Sequence, residues 1–284
     1  MKGVHTAMAT PFDANGNVDK AAFERLCARQ VEAGIHGLVP CGTTGESPVI
    51  APDEWNDLVG IALSVANGKV PVTAGVGTNN TRSTVANCER ALAKGADYGL
   101  LVLPYYNKPN ASGLRLHLAA ATKVGLPLVV YHVPGRTAQR LGHELLAELA
   151  SMPGVAAIKE ATGDIRYGAD VLALTRTPVL SGDDFTFLPL MTMGGAGVIS
   201  VVSNVDPAGT VAVYEHAAAG RHAEATAAMF RIWKLTTWLF ADVSPVPCKA
   251  ALADLGLCRP DPRLPLGPYT GPSSRPLLQE LGLV

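Results

Sequence analysis

The chain has 284 residues, and its 23 Lys and Arg stand against 24 Asp and Glu, a formal charge of −1 that offers no polyanion a partner, so nucleic-acid binding is not expected. Hydrophobic residues make up 48% and charged residues 17%, well above the apolar content of a disordered chain and enough to fill a large core. The longest apolar runs, LVLP at 101–104 and LPLVVY at 126–131, fall far short of the roughly 20 residues a spanning helix needs, so no membrane segment is expected.

The first residues, MKGVHTAMATPFD, carry one Lys and no continuous apolar block, which fails as a secretory signal and reads as a cytoplasmic start. The first strand candidate, GVHTAMA (3–9), lies here. Asp19 then opens a helical stretch, KAAFERLCARQVEAG, with Gly34 where it must stop. GLVP (37–40) follows, and Pro52, Asp53 and Glu54 start the helix of WNDLVGIALSVA. After PVTAGV (71–76), Asn80 and Thr81 open RSTVANCERALAKG, with Gly95 at its end. The remaining strand candidates are YGLLVLP (98–104), LPLVVYH (126–132), GVAAIK (154–159), TPVLSG (177–182) and AGVISV (196–201). All are apolar throughout instead of alternating, as strands covered on both faces are, and this predicts parallel pairing.

Eight strands alternating with helices predict a closed α/β barrel, (β/α)8, over 1–219, with a C-terminal helical region over 220–284. The helical stretches after the last strand are DPAGTVAVYEHAAAG, RHAEATAAMFRIWKLTTWLFA, one around PCKAALADLG, and SRPLLQELG. Trp233, Trp238 and Phe240 are expected to be packing residues, and the Pro-rich 259–272 an ordered loop. GTTGES lacks the Lys of a P-loop and GVGTNN lacks a third glycine, so no nucleotide fingerprint is present. The five cysteines are odd in number and form no CxxC pair, which predicts free thiols. No His stands at metal-ligand spacing from another His or Cys, so no metal is expected.

In such a barrel the reacting groups come from the C-terminal ends of strands. CGTTGES follows strand 2, PYYNKP strand 4, YHVPGRT strand 5, and Lys159 ends strand 6. A lysine desolvated at a barrel mouth can attack a carbonyl as a free amine; the other reading is a lysine that snorkels outward or pairs with Glu160. Lys249 is the rival nucleophile, read as closing a helix N-terminus or an ion pair. Imine chemistry also moves protons, which Tyr131 and Tyr106 could carry through Thr43; buried tyrosines are otherwise packing residues. The loop of Thr43 and Thr44 is either a carboxylate cradle or a turn, and Arg136 either a fork for a second carboxylate or a solvated side chain.

ATPFD, GTTGES, PYYNKP, VPGRT, IKEATGD, LSGDD and GVISV occur in the order found in the dihydrodipicolinate synthase and N-acetylneuraminate lyase superfamily, which the whole chain resembles, its synthase branch above all. The resemblance implies a Schiff-base lyase without metal or dissociable cofactor. Lys159 would form the imine with pyruvate and Tyr131 would bind it and shuttle protons. Thr43 would join Tyr131 to a Tyr106 lent by a neighbouring subunit. Thr44 would take the pyruvate carboxylate, Arg136 that of L-aspartate 4-semialdehyde, and Gly182 and Ile199 would line the pocket with backbone. The implied route is lysine and diaminopimelate biosynthesis, in a cytoplasmic homotetramer built as a dimer of dimers. The alternatives are a catabolic aldolase or dehydratase of a 2-keto-3-deoxy sugar acid or hydroxy-2-oxo acid, and a silent keto-acid-binding relative. The intact Lys159, Tyr131, Thr43 and Tyr106 speak against the last, and Arg136 against the sialic-acid lyases. His132 departs from the Asn that synthases usually carry, changing donors and charge beside Tyr131. Pro52, Trp55 and Ser83 replace the polar residues of the lysine-inhibited regulatory cleft, so feedback by lysine is not expected.

Overall fold

The computed structural model describes Met1 to Val284. Its strands are β1 (Gly3–Ala7), β2 (Gly37–Val39), β3 (Thr73–Gly75), β4 (Tyr98–Val102), β5 (Leu128–His132), β6 (Val155–Glu160), β7 (Val179–Ser181) and β8 (Gly197–Ser200). They form one eight-stranded sheet in the order β2-β1-β8-β7-β6-β5-β4-β3. A parallel bridge between Leu38 and Val72 brings the β3 edge back to β2. This is the expected (β/α)8 barrel, followed by C-terminal helices. Most strands are shorter than the apolar runs that predict them. Met8, Leu103, Leu126 and Val201 lie outside the strands yet are buried, so burial carries each run past its hydrogen-bonded ladder.

The helices start where the sequence signals place them. The Asp19 carboxylate accepts the Ala22 N–H at 2.9 Å before α1 (Lys20–Glu32), and the Asn80 side chain accepts the Arg82 N–H at 3.0 Å before α3 (Thr81–Lys94). Pro52 opens α2 (Pro52–Ala66), where a missing N–H costs nothing. Gly34 and Gly95 turn the chain off at φ +79° and +86°.

The chain packs as two units. One comprises Met1–Gly3 and Thr73–Ile199, with α3, α4 (Ala111–Thr122), α5 (Pro134–Thr137), α6 (His143–Ala150), α7 (Ile165–Leu174) and α8 (Phe187–Thr192). Leu101, Leu118, Val129, Leu146, Ile158 and Val171 are in its core.

The other comprises Val4–Val72 and Ser200–Val284, with α1, α2, α9 (Pro207–Ala218), α10 (His222–Leu239), α11 (Val246–Asp254) and α12 (Arg275–Glu280). Arg29 donates to the carbonyls of Asn204 and Val205 at 2.8 and 2.7 Å, tying α1 to the segment before α9. The Pro-rich 259–272 is ordered: Arg263 anchors it, and its Pro272 carbonyl accepts the Trp238 indole N–H at 3.1 Å. Trp238 is buried and Phe240 half-buried, as expected, whereas Trp233 is 37% exposed against Phe230. The helical period explains the difference: Ile232, Leu235, Thr236 and Leu239 form the buried stripe of α10, and Trp233 falls at its edge. All five cysteines are free.

Candidate active site

β5 and β6 pair with Tyr131 opposite Lys159 and His132 opposite Glu160. Side chains alternate along a strand, so the first pair shares one face and the second pair the other. Lys159 Nζ lies 4.2 Å from the centroid of the Tyr131 ring. Lys159 is 4% exposed, which rules out the snorkelling reading. Burial pushes its pKa from 10.5 to about 7; the Asp184 charge opposes the fall and the Arg136 charge adds to it. About half of such amines are neutral at pH 7, and a neutral amine is what attacks a carbonyl.

Asp184 was not among the expected site residues. It is buried, and it follows Gly182 by two positions in the LSGDD segment after β7. The rule that strand ends carry the chemistry reaches it as readily as it reaches Lys159.

Gly182 is fixed by close approach. Its N–H donates to the Glu160 carbonyl at 2.6 Å, and a Cβ there would stand 2.8 Å from Lys159 Cε and 2.7 Å from Ala161 Cβ. A methyl group therefore displaces the lysine stem. Gly182→Ala should slow borohydride trapping of pyruvate by roughly 10²-fold, the scale of an ångström of misplacement, while circular dichroism stays unchanged. Trapping at the wild-type rate would mean that the Lys159 stem tolerates the shift.

The other expected residues fall as follows. Ile199 is wholly buried in β8. Arg136 is exposed on the single turn of α5, and its charge is felt at Lys159. Tyr106, on the loop after β4, is 86% exposed with a left-handed backbone at φ +69°, so its own unit does not cover it. Thr43 and Thr44 belong to the other unit, on the loop after β2, the first half-buried and the second buried. That loop is tightly turned: Glu46 N–H donates to the Thr43 carbonyl at 3.0 Å and Ser47 N–H to that of Gly42 at 3.2 Å.

Two expectations about neighbours resolve differently. His132 does not share the Tyr131 face. Its ring is fully buried 5.6 Å from that of Tyr167, and burial first, then the Arg140 charge, lower its pKa to about 4. The strand period turns it away from Lys159. Lys249 makes the ion pair that was one of its two readings: Nζ lies 2.8 Å from Glu46 Oε1.

A desolvated lysine beside a tyrosine ring on adjacent barrel strands has the chemistry that a Schiff-base lyase requires. The model of the dihydrodipicolinate synthetase family matches residues 1–280, and the chain belongs to that family. It is 45% identical over 270 residues to the 4-hydroxy-tetrahydrodipicolinate synthase of Nitratidesulfovibrio vulgaris, covering 94% of this chain and 92% of that one. Among solved structures it resembles dihydrodipicolinate synthase from Thermotoga maritima, with TM-score 0.97 and 38% identity, covering 100% and 99% of the two chains. It also resembles the chloride-inhibited dihydrodipicolinate synthase from Acinetobacter baumannii complexed with pyruvate, with TM-score 0.95, 37% identity and the same coverage. No helix is long and apolar enough to cross a membrane.

Proposed function

We propose that the chain condenses pyruvate with L-aspartate 4-semialdehyde to 4-hydroxy-tetrahydrodipicolinate in lysine and diaminopimelate biosynthesis. The observation that carries the reading is Lys159, buried, lowered to a pKa of about 7 and set against Tyr131. Its neutral amine adds to C2 of pyruvate, and the carbinolamine loses water to give an imine. Loss of a methyl proton leaves an enamine whose terminal carbon attacks the aldehyde carbon of the semialdehyde. The semialdehyde's amine then adds to the imine carbon and expels Lys159, closing the ring and restoring the enzyme. Tyr131, Thr43 and Tyr106 carry the protons, and Thr44 receives the pyruvate carboxylate. Gly182 and Ile199 line the site with backbone.

Arg136 receives the semialdehyde's carboxylate. Its exposed position suits a group that meets the second substrate as it arrives. Arg136→Ala should lower use of aspartate semialdehyde by roughly 10- to 10²-fold, the loss of one charge-assisted bidentate contact, and leave pyruvate trapping intact. An equal loss in both assays would move Arg136 to the pyruvate side.

The exposed Tyr106 suits a side chain whose cover is another copy, as in the homotetramer of paired dimers that the family resemblance implies. The compartment is the cytoplasm. The whole reading is tested by a coupled assay of the pure protein with pyruvate and a panel of aldehydes, in which aspartate semialdehyde is consumed fastest. Trapping of pyruvate without use of that aldehyde, together with cleavage of a longer keto-sugar acid, would replace the synthase by a catabolic aldolase.

A further inference from the structure

Glu46 combines three features that rarely coincide. Its backbone is left-handed at φ +56°, a conformation a side chain disfavours. Its side chain is 1% exposed and faces Lys249 Nζ at 2.8 Å, itself 0% exposed. Its second carboxylate oxygen accepts the backbone N–H of Arg263 at 2.8 Å.

Arg263 extends the clamp. Its guanidinium donates to the Val49 carbonyl at 2.8 Å and to the Gly16 carbonyl at 2.8 and 3.0 Å, and it is paired with Glu54 of α2. Both cations also sit on Phe12: Lys249 Nζ is 4.1 Å and Arg263 Cζ 4.3 Å from the ring centroid.

A buried ion pair adds little net stability over an apolar pair of the same volume, so stability alone does not account for this one. What the pair does accomplish is geometric. Thr43 and Thr44 precede Glu46 in a loop held at one side by the Thr10 hydroxyl, which donates to the Gly45 carbonyl at 2.8 Å. At the other side the loop is held by Glu46 itself, through α11 and the 259–272 segment.

We infer that Glu46, with Lys249 and Arg263, is a positioning residue for pyruvate: the buried pair fixes the Thr43–Thr44 loop in the shape that receives the keto-acid carboxylate. The inference rests on the pyruvate-binding reading above. It makes the C-terminal region part of the binding apparatus through its hold on that loop.

The test is borohydride trapping on Lys159 as a function of pyruvate concentration, read by intact mass, beside thermal unfolding, for wild type, Glu46→Gln, the double variant Glu46→Gln with Lys249→Met, and Arg263→Lys. In Glu46→Gln the half-saturating pyruvate concentration should rise on the order of 10- to 100-fold, the usual cost of losing a supporting partner, while saturating pyruvate still labels every chain. The double variant removes the unpaired charge, so it should regain thermal stability without regaining the half-saturating concentration. If stability and half-saturation recover together, the pair is structural only and the inference falls. Arg263→Lys keeps the charge but loses the fork, and it should shift half-saturation in the same direction by a smaller factor. Should both Glu46 variants fail to fold, an unshifted Arg263→Lys overturns the inference by itself. A wild-type protein that takes no label at any pyruvate concentration overturns the pyruvate reading, and this inference with it.

Discussion

Lys159→Met yields a protein that takes up no pyruvate label and resists unfolding better than the wild type at neutral pH. Both effects have one cause. In the folded state the amine titrates at about 7 instead of 10.5. Below pH 7 both folded and unfolded chains carry the proton, and the cost of keeping that charge buried is fully present. Between about 7 and 10.5 the folded chain has released it while the unfolded chain still holds it, so stability rises with pH across that window. The difference of 10.5 − 7 = 3.5 units corresponds to about 5 kcal/mol at low pH, as an order of magnitude. Methionine has similar length and no charge, so its advantage should be several kcal/mol at pH 6.5 and shrink steadily toward pH 10. Urea unfolding at pH 6.5, 8 and 9.5 measures it, and parallel pH profiles for the two proteins would refute a desolvated lysine. The rate of imine formation by wild type should rise through about pH 7 and level off above it, following the free amine. Lys159→Arg retains a cation that cannot deprotonate, and should cost turnover on the order of 10⁴-fold or more.

The barrel and its buried Lys159 were legible because the signals are local. An apolar run bounded by turn residues marks each strand, and a lone lysine at the end of such a run, GVAAIK, is conspicuous. Asp19 and Asn80 declare helix starts by chemistry that acts over three residues. The facing of side chains was not legible. In a strand covered on both sides every position is apolar, so LPLVVYH does not disclose whether Tyr131 or His132 shares a face with Lys159. The register against β6 decides it, pairing Tyr131 with Lys159 and His132 with Glu160. Nor was the Lys249–Glu46 pair legible in full. An ion pair was one reading of Lys249, but its partner stands 203 residues away and no local pattern names it. Nor does a loop sequence tell a buried carboxylate from a solvated one: Asp184 is buried and close enough to act on the lysine charge.

Tyr131→Phe, Tyr106→Phe and Thr43→Val should each lower turnover by roughly 10- to 10⁴-fold, the scale of a lost proton-transfer group. Each removes one hydroxyl from the proposed relay and leaves the shape nearly unchanged. If the three act as one unit, the combined variant should lose far less than the product of the single losses, because the first break already stops the relay. Multiplicative losses would mean three independent roles. Tyr106 allows a second, sharper measurement. It is 86% exposed on its own chain, and the relay reading has it serve the site of a neighbouring copy. A mixed dimer of one Lys159→Met chain and one Tyr106→Phe chain would then hold one intact site: the lysine of the second chain completed by the tyrosine of the first. Co-refolding the two impaired variants should therefore restore activity well above either parent, and the gain should track the fraction of mixed dimers measured by native mass spectrometry. Activity that stays at the mean of the two parents would return Tyr106 to its own subunit and remove the reason for a shared site.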